Sequence, residues 1–118
     1  MIIEYLEPDG YLIRLHMAHW LPRLVMKIRG GVNLCMTLGP HDVRVGQTWL
    51  GPKGLSHEAR HCRQADERGW RYLPWVLKSY LTQGYAKSDP ETDADRWMLA
   101  NWKSYPTIGP VPSWVVDK

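Results

Sequence analysis

The sequence has no phenylalanine, only two cysteines and no long apolar run. Cys35 and Cys62 are too few for a disulfide framework and do not form a C-x-x-C pair, so we expect two buried, reduced thiols. No stretch approaches the roughly 18 apolar residues that a membrane-spanning helix needs. The first residues also lack a basic leader followed by an apolar segment, which predicts a protein that is cytoplasmic when it is synthesised.

A dense block of basic residues is missing as well. The net charge is +3, from 15 Lys and Arg against 12 Asp and Glu, and the basic residues are scattered along the chain. A small nucleic-acid-binding protein is one alternative, but it needs a clustered basic face. Dispersed charge favours an ordinary solvated surface, and we expect no nucleic-acid partner.

Tryptophan and tyrosine are the abundant aromatic residues, with seven Trp and six Tyr in 118 residues. A chain of this length is one domain with a single core, and we take residues 1–118 as that domain. Large rings with a polar atom suit half-exposed positions such as grooves and interfaces, as well as a small core built from bulky side chains. Both interpretations remain open.

One stretch, His57-Glu58-x-x-His61, has the H-E-x-x-H pattern. On a helix, side chains four residues apart share a face, so His57 and His61 can present two imidazoles to one metal ion. Glu58 then stands beside the water that the ion polarises, where it can act as general base. The pattern predicts a zinc (Zn2+) site on a helix.

Hydrophobic periodicity predicts an α+β fold, with a small antiparallel or mixed sheet of about three strands, the motif helix, and two to three further helices. We expect strands at residues 11–16, 32–38 and 41–45, the last two paired across a Gly-Pro turn. We expect helices at residues 19–29, 53–68, 70 to near Gly84, and 91–103, the last capped by Ser88 or Asp89 with Pro90 in its first turn. Residues 106–118 are rich in proline and predict an extended C-terminal tail.

A catalytic zinc ion takes three protein ligands, so one more must come from elsewhere in the chain. The candidates are Glu91, Asp93, Asp95, His16, His19 and His41. Glu91 is the best, because it opens a helix directly after a capped turn. A carboxylate stabilised at a helix N-terminus is the alternative explanation of Glu91, and surface or core roles are the better interpretation of the three histidines.

The combined pattern runs from His57 through Gln64 and Gly69, then Gly84-Tyr85, then Pro90-Glu91-x-x-Ala94. It resembles small single-domain zinc-metallopeptidase-like proteins of phage, prophage and bacterial genomes, which look like minimal gluzincins within the zincins. The resemblance implies that His57, His61 and Glu91 are metal ligands and Glu58 the base. It also implies that Gln64 and Ala94 pack the ligand helices together.

These observations predict a zinc-dependent peptide-bond hydrolase with a peptide or protein substrate. Tyr80, Tyr85 and Arg96 are candidates for stabilising the oxyanion, and the sheet edge near residues 41–47 is the expected place for an extended peptide. Asp66, Asp93 and Asp95 could orient the imidazoles. The alternative is a phage-particle or assembly protein, associated with a virion, that keeps the zinc-binding scaffold with little or no turnover and contacts protein partners through its aromatic surface and tail.

Overall fold

A four-stranded mixed sheet forms one layer of the protein, and helices cover it. The computed structural model describes residues 2–29 and 35–110. The strands are β1 (Ile2–Leu6), β2 (Leu12–His16), β3 (Cys35–Gly39) and β4 (Asp42–Val45), and their spatial order is β1-β2-β4-β3. β1 pairs with β2, and β3 with β4, in antiparallel fashion, whereas β2 and β4 are parallel. Helix α1 (Trp20–Arg29) lies between β2 and β3 in the sequence.

Alternating side chains explain the two central strands. Ile13 and Leu15 of β2, and Val43 and Val45 of β4, are fully buried. The residues between them are polar, which is the period-two pattern of strands with one face against a core. The apolar face of the sheet therefore fixes where the next helix packs.

Helix α2 (Pro52–Arg68) presents two faces to its neighbours. Leu55, Ala59 and Cys62, spaced by four and three residues, belong to the core that β2 and β4 also form. His57 and His61 follow Leu55 and Ala59 by two residues each, so they lie on another face of the helix. The helix ends at Gly69, whose φ of 58° is a conformation that glycine adopts without steric cost.

The remaining helices bring a second segment to that other face of α2. After a short 3-10 helix at Gly69–Arg71, α3 (Tyr72–Gln83) runs to Gly84, and α4 (Asp89–Asn101) follows with Ser88 as its N-cap and Pro90 in its first turn. A second 3-10 helix, Trp102–Ser104, completes the described helices. α4 packs against α2, so the first turn of α4 faces the histidines.

The predicted fold class is confirmed as α+β, with some corrections. β1 was not predicted, and the described sheet has four strands; β1 pairs with β2 over its whole length. The prediction that residues 41–47 form a sheet edge for the substrate is wrong, because β4 lies inside the sheet between β2 and β3. β3 is the outer strand on that side.

The expected tail is attached to the body over its first residues, since Ile108 is buried and pairs with Leu50. Residues 111–118 of that tail, and residues 32–34 of the predicted strand, lie outside the described residues. No helix among the described residues has the length and apolar character to span a membrane.

Candidate metal centre

Three donor atoms from two helices meet at one point. Nε2 of His61 lies 2.7 Å from Oε2 of Glu91, and Nε2 of His57 lies 3.0 Å from the same oxygen. The two Nε2 atoms are 3.1 Å apart. The structure therefore brings together both histidines of the motif and the carboxylate of Glu91, in the first turn of α4.

Glu58 stands beside these atoms on the sheet side of α2. One ligand atom from each of His57, Glu58 and His61 lies within 4.8 Å of the others, a grouping that could hold a metal ion. Burial raises the pKa of the Glu58 carboxyl group, and the neighbouring His61 and His57 offset only part of that increase. A carboxyl group with a raised pKa is a better proton acceptor than an exposed glutamate.

Hydrogen bonds at Nδ1 determine how each imidazole is oriented. Nδ1 of His57 lies 2.9 Å from Oδ1 of Asp95, and Nδ1 of His61 lies 2.8 Å from Oε1 of Gln64. Both partners are acceptors, so each imidazole donates its Nδ1–H outward. The Nε2 atoms, which face Glu91, are then the ones with free lone pairs.

Two nitrogen lone pairs and a carboxylate oxygen therefore converge within 3.1 Å of one another. These electron-rich atoms repel one another unless a positive charge lies among them. Without a metal, protons supply that charge. Burial lowers the pKa of His61, but the hydrogen bond to Glu91 and the charge of Glu58 outweigh it and raise this pKa to about 9.

Glu91 responds in the opposite sense. Burial raises the pKa of its carboxyl group, but the hydrogen bonds with His57 and His61 overcome this effect and hold the pKa well below its usual range. The centre thus keeps a carboxylate ionised beside two imidazoles that bind positive charge tightly. A divalent cation displaces protons from sites of this kind.

Two tyrosines lie beside the Glu91 carboxylate. The Tyr80 hydroxyl donates to Oε1 of Glu91 over 3.3 Å, and the Tyr85 ring lies edge-on to the Tyr80 ring with centroids 5.0 Å apart. Burial raises the pKa of both phenols, and the charge of Glu91 raises them further. Two of the three predicted oxyanion candidates, Tyr80 and Tyr85, are therefore protonated phenols close to the centre.

The other predicted residues are distributed as follows. Asp95 contacts His57, as described above, while Asp93 binds Arg60 and Gln64 and reaches His61 only through the amide. Asp66 and Arg96 are exposed. His16 lies 3.0 Å from Asp42, His41 stacks on Tyr11, and His19 accepts a hydrogen bond from the Leu21 amide, so all three have partners other than the centre.

Sequence reasoning missed Thr37 altogether, and it missed one contact of Gln64. Thr37 of β3 lies close enough to lower the pKa of Glu58, and its carbonyl oxygen accepts a hydrogen bond from the buried Tyr72 hydroxyl. Nothing in the local pattern pairs residues so far apart. Gln64 was predicted to pack the helices, but its contact with His61 was not predicted; the spacing of three residues from His61 was the available signal.

The donor set fits a zinc ion. Two imidazole nitrogens and one carboxylate oxygen are a known ligand set of catalytic zinc sites, which leave a fourth position open. Tetrahedral bonds of about 2.0–2.1 Å place donor atoms roughly 3.3 Å apart. The two distances from Nε2 of His57, 3.0 and 3.1 Å, are close to that spacing, and the 2.7 Å between Nε2 of His61 and Oε2 of Glu91 is a hydrogen-bond distance that would have to lengthen around an ion.

Comparison of the chain with protein-family models, with curated proteins and with solved structures finds no match. What stands on the residues themselves is a small α+β fold with a histidine–glutamate cluster that could hold a metal ion.

Proposed function

We propose that this protein is a metal-dependent hydrolase of peptide bonds, with zinc as its metal and a gluzincin-like ligand set of His57, His61 and Glu91. The observation that carries the proposal is the convergence of their three donor atoms within 3.1 Å, beside the buried carboxyl group of Glu58. A histidine pair on a helix surface would need neither the oriented Nδ1 atoms nor the second helix. The complete arrangement is what metal-assisted hydrolysis requires.

Each residue then has a defined task. Bound zinc supplies a Lewis acid that lowers the pKa of a water molecule toward roughly 7. Glu58 takes a proton from the attacking water and passes it to the leaving amine. Tyr80 and Tyr85 would turn their O–H groups from Glu91 toward the negative charge that develops on the former carbonyl oxygen. The raised pKa of each phenol keeps that donor protonated at neutral pH.

The substrate is an extended peptide, which is expected to lie along β3. This strand is the outer one on the side of the sheet that packs on α2, and Thr37 at its middle lies near Glu58. An outer strand offers backbone N–H and C=O groups to an added strand. That geometry would set the scissile bond of the substrate close to the candidate base.

Two exposed apolar stripes favour a second candidate function, a structural or assembly protein of a phage particle that keeps the scaffold with little turnover. Trp20, Leu24 and Ile28 are exposed along α1, and Leu73, Leu77 and Leu81 are exposed along α3. Each set repeats every four residues and so forms one stripe on its helix. Exposed apolar surface of this kind is typical of contact with another protein.

Digestion of casein and of a peptidoglycan-type peptide by purified, zinc-loaded protein tests the proposal. The matched control is Glu58→Gln, which keeps the size of the side chain and removes the base. We expect cleavage by the wild type, a loss of about 10²- to 10⁴-fold in kcat for the variant, and equal zinc content in both. Zinc-loaded wild type with no cleavage, in a large assembly, would support the structural alternative. Full activity in Glu58→Gln would refute the mechanism.

A further inference from the structure

We propose that Gln64 is a positioning residue for the metal centre: its amide selects the nitrogen that His61 presents and holds the helix turn that carries Glu91. The inference rests on the proposed metal site and deepens it, because it assigns to a neutral side chain the control of two ligands on different helices. It stands on hydrogen-bond geometry alone.

The orientation of the Gln64 amide is fixed by its partners. The side chain is fully buried, and its Nε2 lies 3.0 Å from the Pro90 carbonyl oxygen and 2.8 Å from Oδ2 of Asp93. Both partners are acceptors, and an amide nitrogen has two hydrogens to donate, so both are used. Arg60 donates to the same Asp93 oxygen over 2.6 Å, which holds that acceptor in place.

Only one direction is left for the amide oxygen. Oε1 of Gln64 faces Nδ1 of His61 at 2.8 Å and, as an acceptor, requires a proton there. His61 must then present Nε2, with its lone pair, to the centre. A flipped amide would place N–H groups against His61 and the oxygen against two other acceptors, which costs several buried hydrogen bonds.

The same amide spans the two ligand helices. Its acceptors, Pro90 and Asp93, lie on either side of Glu91 in the first turn of α4. One buried side chain therefore fixes the orientation of the His61 ring and the distance between that ring and Glu91. His57 is held differently, because the Asp95 side chain that orients it is 54% exposed and water can replace it.

Two metal ions serve as probes for this inference: cobalt for NMR spectra and zinc for affinity. In the cobalt-loaded wild type, imidazole N–H protons give paramagnetically shifted resonances. We expect one of them, from His61, to exchange slowly with solvent and the other, from His57, to exchange fast. This comparison needs no variant, and two N–H resonances with equally fast exchange would overturn the inference.

Two substitutions add a measure of the effect. Gln64→Leu removes every polar atom at similar size, and Gln64→Glu keeps an acceptor for His61 but loses both donors to α4. We expect zinc affinity to fall about 10- to 100-fold in Gln64→Leu, with loss of the slowly exchanging resonance. In Gln64→Glu we expect weaker binding with that resonance retained, because the acceptor is still present.

Ala65→Gly is the matched control. Ala65 is buried on the same helix and has no polar side-chain atom, so the substitution weakens α2 without touching the amide contacts. We expect its zinc affinity to fall by much less than the tenfold or more that is typical for loss of an orienting partner. Equal losses of affinity in Ala65→Gly and Gln64→Leu would mean that Gln64 is only structural.

The outcomes separate this inference from the proposed function. A wild-type protein that binds neither metal overturns both. A wild type that binds zinc and cleaves peptide, with unchanged affinity in Gln64→Leu, overturns the role of Gln64 and leaves the hydrolase proposal standing.

Discussion

The interface between α2 and α4 is buried and polar, whereas the outer face of α3 is exposed and apolar. At the interface His61, Gln64 and Glu91 are almost completely buried, and each has hydrogen-bond partners at 2.7–3.0 Å. On α3, Leu73, Leu77 and Leu81 are 50%, 60% and 78% exposed. Polar groups without a partner are costly inside a protein, and leucines are costly in water. Each region therefore departs from the usual distribution of side chains.

The difference separates two tasks on the same molecule. The buried polar interface is favourable when a positive charge lies among its donor atoms, and this is the basis of the metal site that we propose. The exposed leucines are favourable when another surface covers them, and this is the basis of the second candidate function. Neither region explains the other, and changes in one should leave the properties of the other unaltered.

The largest effect that would sharpen this comparison is stabilisation by zinc. Free zinc at 100 times its Kd should stabilise the fold by about 2.7 kcal/mol, because the proposed site exists in the folded protein and not in the unfolded chain. For a domain of this size that is roughly a 10 °C rise in Tm. Circular-dichroism melts with zinc and with a chelator measure it. An identical Tm in both conditions would contradict a metal role for the interface.

A smaller effect is expected from Asp95→Asn. The change removes the charge that accepts from Nδ1 of His57 but keeps an oxygen acceptor, and the site is half exposed. We expect zinc affinity to fall about tenfold, the lower end for loss of an orienting partner. Competition with a chelator of known affinity measures it. A loss larger than that of Gln64→Leu would reverse the ranking of the two orienting side chains.

The smallest effect on stability is expected on the outer face of α3. Leu77→Ser exchanges an exposed leucine, and we expect unfolding free energy to change by less than about 0.5 kcal/mol with zinc affinity unchanged. Its matched control is Leu55→Ala, which empties a fully buried position and should cost about 2–5 kcal/mol.

The same variant tests the contact role of this face by solution size. If the leucines mediate assembly, light scattering should show a smaller species for Leu77→Ser than for the wild type. A monomeric wild type of unchanged size at high concentration would contradict that role.

Much of the fold could be predicted because it depends on local sequence patterns. The motif helix, its end at Gly69 and the cap before Pro90 follow from periodicity and from residues with specific backbone preferences. β1 was missed because its residue types, Ile-Ile-Glu-Tyr-Leu, do not alternate between apolar and polar although their burial does, and its pairing with β2 is a tertiary contact. The position of β4 inside the sheet was missed because strand order depends on the crossover through α1 rather than on the sequence of either strand.

The site divides in the same way. Placing His57 and His61 on one helix face needed only their spacing, whereas the approach of Glu91 depends on how α4 returns to α2. The hydrogen bonds of the Gln64 amide help to hold α4 against α2. Partners on different helices cannot be read from the spacing of residues in the sequence. The ligand set itself stays a prediction until a metal is measured.

Calorimetric titration of zinc into the wild type and into Glu91→Gln tests the central claim most directly. We predict one zinc ion per wild-type chain and an affinity loss in Glu91→Gln above the 10- to 100-fold typical of an orienting partner, since the carboxylate that contacts both imidazoles is removed. A wild type that binds no zinc, or a Glu91→Gln variant that binds it equally well, would contradict the claim.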